Sequence, residues 1–221
     1  MIFNRKLSNI SEQKTSGSLN RWNSSPELTS HFIDRSSLNI IEVSFQEALN
    51  SIHKMKFKIE EDNWEYMPNP DEQLDEEQRK WKNRCYCTKD MLGAGINILN
   101  DIKNELNYGG KYNYNFFVSY FKLAPIGALI LSSSSNLSDF PEVMILVTHS
   151  GIKGSGILLI EEAVNKSQQL GKNGKLKLFS LGEVRGIYSN MGFVEVNSGD
   201  MELDPAVSHR WHFANGRYRF K

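Results

Sequence analysis

The segment 142–161 most constrains how this chain can fold, because it joins a strand pattern, a glycine-rich turn and a helix pattern without interruption. Residues 143–147 form an apolar run of strand length, and Gly151, Gly154 and Gly156 follow it. After the last glycine, apolar residues recur at helical spacing. Glycines let a turn approach a ligand closely, and the amides at a helix N-terminus favour an anion. The segment therefore predicts a phosphate-binding unit.

The order of the glycines excludes two common phosphate-binding signatures. The Walker loop has Lys and then Ser or Thr directly after its last glycine, whereas Ile157 and Leu158 follow Gly156 here. The dinucleotide fingerprint has its close glycine pair first, whereas the close pair here comes last. A different kind of phosphate-bearing cofactor is indicated.

The segment resembles motif A of the GCN5-related N-acetyltransferases (GNAT), in which a strand end, a Gln/Arg-x-x-Gly-x-Gly/Ala turn and a helix opening with paired aliphatic residues follow one another. The resemblance implies that the turn amides bind the pyrophosphate of acetyl-coenzyme A (acetyl-CoA) and that the splayed strand end receives the pantetheine arm. Gly151 stands where the family usually has Gln or Arg, and Lys153 is a candidate for the missing positive charge. The candidate cofactor-binding residues are Leu146, Val147, Thr148, Gly151, Ile152, Lys153, Gly154, Ser155, Gly156 and Ile157.

A second block follows at the distance expected for this family. Residues 175–181 alternate as a strand, and residues 182–190 have the pattern of a short helix that ends at Gly192. The run from Tyr188 to Phe193 resembles the family's Tyr-x-x-x-Gly-Phe signature. By this resemblance Tyr188 lies close to the cofactor sulfur and acts as the general acid toward the leaving thiolate. The alternative is a packed tyrosine with a satisfied hydroxyl.

The resemblance covers about residues 116–203 and implies an α/β fold of the GNAT type, with a mixed, mostly antiparallel central sheet and helices on both faces. Strands are predicted over 38–43, 115–120, 126–131 and 175–181, and helices over 45–55, 71–82 and 91–106. In the last of these helices Ile98, Leu99, Ile102 and Leu106 form the expected apolar stripe. The family's glycine early in the second hairpin strand is matched by Gly127.

The N-terminal residues 1–37 are rich in Ser, Asn and Thr and show no apolar period, which predicts a mobile leader. This composition is typical of a frayed terminus and also resembles the export segments of bacterial secreted effectors. Residues 38–221 are then expected to form one GNAT-like domain, with a diverged N-terminal part and a C-terminal hairpin extension.

Composition limits the partners and the compartment. The formal net charge is +0, so no general attraction for nucleic acid or an anionic membrane is expected. No apolar run is long enough to span a bilayer. Cys85 and Cys87 are the only cysteines, too close for a routine disulfide and far in sequence from any His, so no metal site is expected. These features favour a cytoplasmic protein, unless the leader directs export.

The general base is left open by the sequence. Glu142, at the start of the motif A strand, and His149, just beyond its end, are the candidates. Strand alternation puts Glu142 on the opposite face from Val147, and His149 can instead cap the turn. Trp64, Tyr66 and Trp81 either shape the acceptor site or are plain core residues.

The C-terminal residues 208–221 resemble two alternating strands around Ala214-Asn-Gly216. Their interleaved arginines and aromatics are typical of a nucleic-acid-binding edge, and equally of an edge hairpin with apolar side chains inward and charges in solvent.

The sequence thus predicts an enzyme that transfers acetyl from acetyl-CoA to an amine of a protein or small-molecule acceptor by direct attack. A backbone amide near Leu146 or Val147 would polarise the carbonyl, and Tyr188 would be the acid. The alternatives are a non-catalytic binding module of the same fold and a secreted effector or toxin acetyltransferase. The acceptor is not identified.

Overall fold

The computed structural model describes residues 35–61, 74–109, 112–134 and 139–221. The predictions for Trp64, for Tyr66 and for nearly all of the leader concern residues outside these ranges. They therefore stay predictions.

A mixed sheet of seven strands forms the centre of the described chain. The strands are β1 (Leu38–Val43), β2 (Tyr112–Phe121), β3 (Ala124–Ser134), β4 (Glu142–Thr148), β5 (Leu176–Phe179), β6 (Val194–Glu195) and β7 (Asp200–Leu203). Their order is β1-β2-β3-β4-β5-β7-β6, and every neighbouring pair is antiparallel except β4 and β5. The predicted fold class, a mixed and mostly antiparallel sheet, is confirmed.

Helices cover both faces of this sheet. Helices α1 (Phe45–Glu61) and α2 (Glu76–Asn107) pack on one face, against a cluster that includes Ile130 and Val147. Helix α3 (Ser155–Gln169) packs on the other face, in a cluster that includes Leu129 and Leu131, and the short α4 (Arg185–Asn190) joins the same cluster. Successive side chains of a strand point to opposite faces, which is why Leu129 and Ile130 belong to different cores.

Helix α2 is one continuous helix of 32 residues, so the prediction of two separate helices here is wrong. Asp75 and Gln78 form a capping box at its start, and its buried residues repeat at intervals of four and three. These residues are Trp81, Cys85, Thr88, Leu92, Gly95, Leu99 and Ile102. Gly95 marks the close approach of α2 to the sheet, because a Cβ there would lie 3.3 Å from Ile52 and 3.4 Å from Ile145. Leu106 is 51 % exposed, so the prediction that it belongs to the apolar stripe is wrong.

The N-terminal part of α2 extends beyond the end of the sheet. Thr88 Oγ1 donates a hydrogen bond to the carbonyl oxygen of Thr148, the last residue of β4, at 3.2 Å. Because Gly95 contacts Ile145, α2 runs antiparallel to β4, and residues 76–87 lie past the strand end. At 1.5 Å per residue this overhang is about 18 Å long. Trp81 in the overhang is 2 % exposed and shares a core with Ile59, so it is a core residue.

The C-terminal hairpin consists of β8 (Trp211–Ala214) and β9 (Arg217–Phe220), joined by Asn215 and Gly216 with φ of 53° and 76°. This left-handed turn confirms the predicted hairpin. The hairpin is a sheet of its own that packs on α3.

Side chains of α3 bind this hairpin. Asn165 Oδ1 accepts from the Tyr218 amide at 2.8 Å, and Asn165 Nδ2 donates to the Tyr218 carbonyl at 3.1 Å. Arg217 donates to Glu162, and Arg219 to the buried Glu161, each at 2.7 Å. These two arginines are therefore ion-paired to α3, which favours the edge-hairpin interpretation over a nucleic-acid-binding edge.

Three further features of the described chain limit its chemistry. No helix in these ranges is long and apolar enough to cross a membrane. No group of three His, Cys, Asp or Glu side chains in the same ranges comes together as a metal site. Cys85 and Cys87, on α2, form no disulfide.

Replacement of Gly127 tests the close contact between α3 and the sheet. A Cβ at Gly127 would lie 2.6 Å from Ser119 Oγ, 3.1 Å from Leu159 Cδ1 and 3.2 Å from the Val147 carbonyl oxygen. We expect Gly127→Ala to lower the free energy of unfolding by about 1–3 kcal/mol. At Gly93, in α2, a Cβ meets nothing within 4 Å, so Gly93→Ala should raise it by about 1 kcal/mol. Urea denaturation of the two variants measures both changes, and a stable Gly127→Ala protein would contradict the packing described.

Candidate functional site

A wedge opens in the sheet between β4 and β5. The two strands pair only at the start of β4, where Glu142 lies opposite Lys177 and Val143 opposite Leu178. Beyond this point β4 continues along β3 as far as Thr148, whereas β5 stays with β7. The amide of Ser180 prolongs the pairing with β7 by donating to the Gly199 carbonyl at 2.7 Å. The second half of β4 therefore has no strand on its β5 side, and its backbone groups there are available to a ligand.

The wedge leads into a cleft of about 190 Å³ that reaches both faces of the sheet. Leu146, Val147 and Thr148 of β4 line it together with Gly156 of α3 and Tyr188 of α4. Val147 belongs to the core on the α2 face, and Leu146 contacts the core on the α3 face. The cleft thus brings the end of β4, the start of α3 and the predicted general acid to one place.

The turn between β4 and α3 leaves the first amides of α3 without a side-chain cap. Gly154 precedes the helix with φ of 95°, a left-handed conformation that favours glycine, and no side chain of the described chain caps the helix there. Lys153 lies directly before it and is half-buried. The amides of a first helical turn have no partner within the helix, and the helix dipole favours an anion at this position. The N-terminus of this 15-residue helix is consequently suited to bind phosphate.

His149 lies inside this turn and holds it in shape. Its Nδ1 accepts a hydrogen bond from the Gly151 amide at 3.1 Å, and its carbonyl oxygen accepts from the Ile152 amide at 3.0 Å. Its own amide donates to the Ile126 carbonyl at 2.7 Å, and the residue is 2 % exposed. The imidazole therefore supports the turn and is not among the residues that line the cleft.

Glu142 lies at the other end of β4. Thr148 is six positions further along the strand, which corresponds to about 20 Å. Its Oε2 lies 3.6 Å from Lys177 Nζ, and it lines a different pocket. The structure therefore brings neither candidate base to the cleft, and among the described residues that line the cleft there is no carboxylate and no imidazole.

The run from Tyr188 to Phe193 is the end of α4 followed by a return of the chain. Gly192 has φ of 97°, and the Phe193 amide donates to the Tyr188 carbonyl at 3.1 Å. The chain reversal places the two aromatic rings edge to face, with centroids 5.8 Å apart. A Cβ on Gly192 would lie 2.5 Å from Ser208 Oγ, so both the conformation and the space require glycine. The signature thus fixes the position of the tyrosine ring.

Tyr188 lines the cleft, and its phenol stays protonated at neutral pH. Burial raises the pKa of Tyr188 above its ordinary value, because the phenolate is poorly solvated there. Desolvation is the cause of this shift, and no hydrogen bond of the hydroxyl contributes to it. The indole of Trp211, in the C-terminal hairpin, donates to the Met191 carbonyl at 2.7 Å and supports the end of α4.

Sequence reasoning missed the contribution of α2 to the cleft. Arg84, Cys87, Thr88 and Met91 line its wall on the α2 face. The predicted helices ended at residue 82 and began again at residue 91, so this stretch was not assigned to any element. The only signal was the spacing of Cys85, Thr88 and Leu92, which continues the apolar stripe across the assumed gap.

No protein-family model and no curated protein matches this chain. Solved structures do resemble it. The PaiA N-acetyltransferase from Thermoplasma acidophilum, in complex with coenzyme A, is 18 % identical with a TM-score of 0.44, over 76 % of this chain and 99 % of that one. A chimera of the spermidine N-acetyltransferase SpeG from Vibrio cholerae and hSSAT is 16 % identical with a TM-score of 0.42, over 76 % and 95 %. A Bacillus subtilis acetyltransferase in complex with CoA is 16 % identical with a TM-score of 0.36, over 48 % and 82 %. At these identities and TM-scores the likeness supports no conclusion about activity, which has to come from the cleft itself.

A pH titration tests the environment of Tyr188. The ultraviolet absorbance of tyrosinate is recorded for the wild type and for Tyr188→Phe, and the difference isolates this one phenol. Because burial raises the pKa of Tyr188, the difference signal should rise only above pH 10, the ordinary range of tyrosine. A component that titrates at or below pH 10 and disappears in Tyr188→Phe would show that the phenol is in water instead.

Proposed function

We propose that this chain is an N-acetyltransferase of the GCN5-related type, which transfers the acetyl group of acetyl-CoA to an amine. One observation carries the proposal. The open end of β4, the uncapped start of α3 and a protonated Tyr188 share a single cleft. The glycine turn and the Tyr-x-x-x-Gly-Phe run, which are separate in the sequence, meet there.

The described residues fit the parts of acetyl-CoA in order. The amides of Ser155, Gly156 and Ile157 at the start of α3 suit the pyrophosphate, with Lys153 close by in the sequence. The unpaired side of β4 from Leu146 to Thr148 suits the extended pantetheine arm, whose amides need partners of the kind a strand offers. The remaining candidates Gly151 and Ile152 shape the turn from inside. The thioester then reaches the cleft beside Tyr188.

The chemistry asks little of the protein beyond positioning. Acetyl-CoA supplies the acyl group as a thioester. A backbone amide near Leu146 or Val147 hydrogen-bonds the carbonyl oxygen, which gains negative charge as the amine attacks. The new bond joins the amine nitrogen to the carbonyl carbon, the carbon–sulfur bond breaks, and Tyr188 gives its proton to the departing sulfur. Most of the rate gain comes from holding the two reactants in the cleft.

The amine has to lose a proton, and the described lining of the cleft offers no base for it. We infer that the acceptor binds as the neutral amine and that its second proton leaves to water in the open mouth of the cleft. The Tyr188 phenolate then takes a proton back from water, which restores the acid for the next turnover. Glu142 is too distant along β4, and His149 uses Nδ1 to hold the turn. Both stay sequence predictions and have no part in the proposed mechanism.

A binding module without turnover is the alternative. The absence of a Gln or Arg side chain at Gly151 favours it, because one contact to the cofactor expected from the family is missing. The leader, on which the hypothesis of a secreted effector rests, lies outside the described residues, and cytoplasmic location likewise stays a prediction. Loss of turnover in a Tyr188 variant, described below, separates enzyme from binder.

Paired substitutions at Gly156 test cofactor binding. Gly154 is unsuitable, because its φ of 95° strains any side chain. At Gly156 a Cβ would meet Thr148 and Leu146 at 3.6 and 3.8 Å, which are ordinary contacts, so Gly156→Ala should fold and bind acetyl-CoA much as the wild type does. Gly156→Glu puts a carboxylate where phosphate is expected and should weaken binding by about a hundredfold or more, or ~2.7 kcal/mol. Isothermal titration calorimetry measures both.

The stability of Gly156→Glu serves as its control. A carboxylate in the first turn of a helix interacts favourably with the dipole, so the variant should melt no lower than Gly156→Ala. Equal affinities of the two variants for acetyl-CoA would remove the phosphate site from α3.

The substitution Tyr188→Phe tests the general acid. It keeps the ring and its edge-to-face contact with Phe193 but removes the donated proton. We expect kcat to fall by about 10²–10⁴, with little change in the affinity for acetyl-CoA. Steady-state rate assays with an amine acceptor give kcat, and calorimetry with acetyl-CoA gives the affinity. An unchanged kcat would exclude Tyr188 as the acid, and a wild type that binds acetyl-CoA without acetylating any amine would favour the binding module.

A further inference from the structure

Arg84 lines the α2 wall of the cleft, and one nitrogen of its guanidinium has no hydrogen-bonding partner among the described residues. It lies one helical turn before Thr88, the residue that contacts the end of β4. Its guanidinium lies 5.6 Å from the centre of the Trp81 ring. Its Nη1 is shielded from solvent and has no hydrogen-bonding partner in the described part of the chain. An arginine is always charged, and a shielded donor that makes no hydrogen bond costs free energy. Arg84 is therefore suited to bind an oxygen that a ligand brings.

The position of Arg84 assigns this oxygen to the acceptor. The uncapped amides of α3 and the phenol of Tyr188 belong to the α3 face, where the cluster around Leu159 lies. Trp81 and Thr88, the neighbours of Arg84 on α2, lie on the opposite face. A phosphate held by α3 and a sulfur beside Tyr188 thus leave the α2 side of the cleft to the second substrate.

A second cavity, of about 510 Å³, adjoins the cleft on this side. The two share Cys87, Met91 and Val184 in their walls. Across the second cavity Tyr86 of α2 faces the loop after β5, where Leu181 lies, and these side chains are 67 % and 61 % exposed. Exposed large apolar side chains on both sides of a cavity are typical of a binding surface for an apolar group.

Asp90 determines how a charged ligand can be oriented in this cavity. Asp90 is exposed. Among the described residues, Asp90 is the one charged residue that lines the second cavity, and Arg84 is the one charged residue that lines the cleft. An anionic group of a ligand is repelled at Asp90 and attracted at Arg84. A ligand with one carboxylate therefore has one favourable orientation.

We propose that the acceptor is an α-amino acid with a bulky apolar side chain. Arg84 donates to its carboxylate, its amine lies in the cleft at the end of β4, and its side chain occupies the cavity between Tyr86 and Leu181. This inference rests on the proposed acetyltransferase function and narrows it to a substrate class. In this proposal the aromatic contact with Trp81 positions the Arg84 guanidinium for the carboxylate.

Matched acceptors test the proposal on the whole 221-residue chain. Initial rates are measured with acetyl-CoA and phenylalanine, phenylalaninamide or 2-phenylethylamine, and with methionine and methioninamide. The members of each series share the side chain and differ at the carboxylate, and the neutral amine concentration is set equal from each amine's own pKa. We expect kcat/KM for each amino acid to exceed that of its carboxylate-free analogues by about a hundredfold, since a site built to bind a charged group rejects analogues that lack it.

The variants Arg84→Gln and Arg84→Lys locate the preference. In Arg84→Gln the ratio of kcat/KM between acid and amide should fall toward one, mainly through KM, whereas Arg84→Lys should restore part of it because the charge remains. The affinity for acetyl-CoA should be the same in all three proteins. Thermal melting shows that the variants are folded.

The outcomes separate this inference from the proposed function. Efficient acetylation of 2-phenylethylamine by the wild type would overturn the inference and leave the acetyltransferase intact. A loss of kcat in Arg84→Gln that is equal for acids and amides would overturn it too, because Arg84 would then act on the thioester. Binding of acetyl-CoA without acetylation of any of these amines also counts against it. Failure to bind acetyl-CoA at all would instead reject the proposed function.

Discussion

The early separation of β5 from β4 determines the arrangement of everything around the cleft. Two pairs of residues join these strands, and beyond them β5 follows β7. The separation leaves half of β4 without a partner strand on its β5 side, and backbone groups that lack a hydrogen bond inside a domain normally cost free energy. A bound ligand can offset this cost by supplying the missing hydrogen-bond partners. The free backbone edge of β4 can therefore be reached from both faces of the sheet. If β4 and β5 were paired along their whole length, this edge would be covered.

The surroundings of the wedge hold it open from both sides. On one face Thr88 of α2 binds the last carbonyl of β4, which fixes the helix to the strand end. On the other face Gly127 lets Leu159 of α3 approach the sheet, so the N-terminus of α3 is held beside the same strand end. The C-terminal hairpin then binds α3 through Asn165 and the end of α4 through Trp211. The hairpin thus stabilises the two elements that carry the turn and the tyrosine.

The sequence predicted those parts of the fold whose signals are local. The glycine turn, the return of the chain at Gly192 and the Asn215 turn each depend on a few neighbouring residues with a required backbone conformation, and each was located correctly. The continuity of α2 was missed, because residues 83–90 contain no aliphatic residue and only Cys85 and Thr88 continue the buried stripe through them. Arg84 was missed for the same reason. The distance from Glu142 to the cleft follows from strand geometry, but its pairing with Lys177 required the tertiary structure.

The overhang of α2 separates two tasks that the cleft has to combine. Residues 76–87 stand beyond the sheet, and Trp81 among them packs in the core shared with Ile59 of α1. Under the proposed function, changes in this projecting part of α2 can alter which acceptor binds without altering the start of α3, where the phosphates are proposed to bind. Under the same proposal, acceptor specificity can change through substitutions in one helix while the residues proposed for the chemistry stay the same.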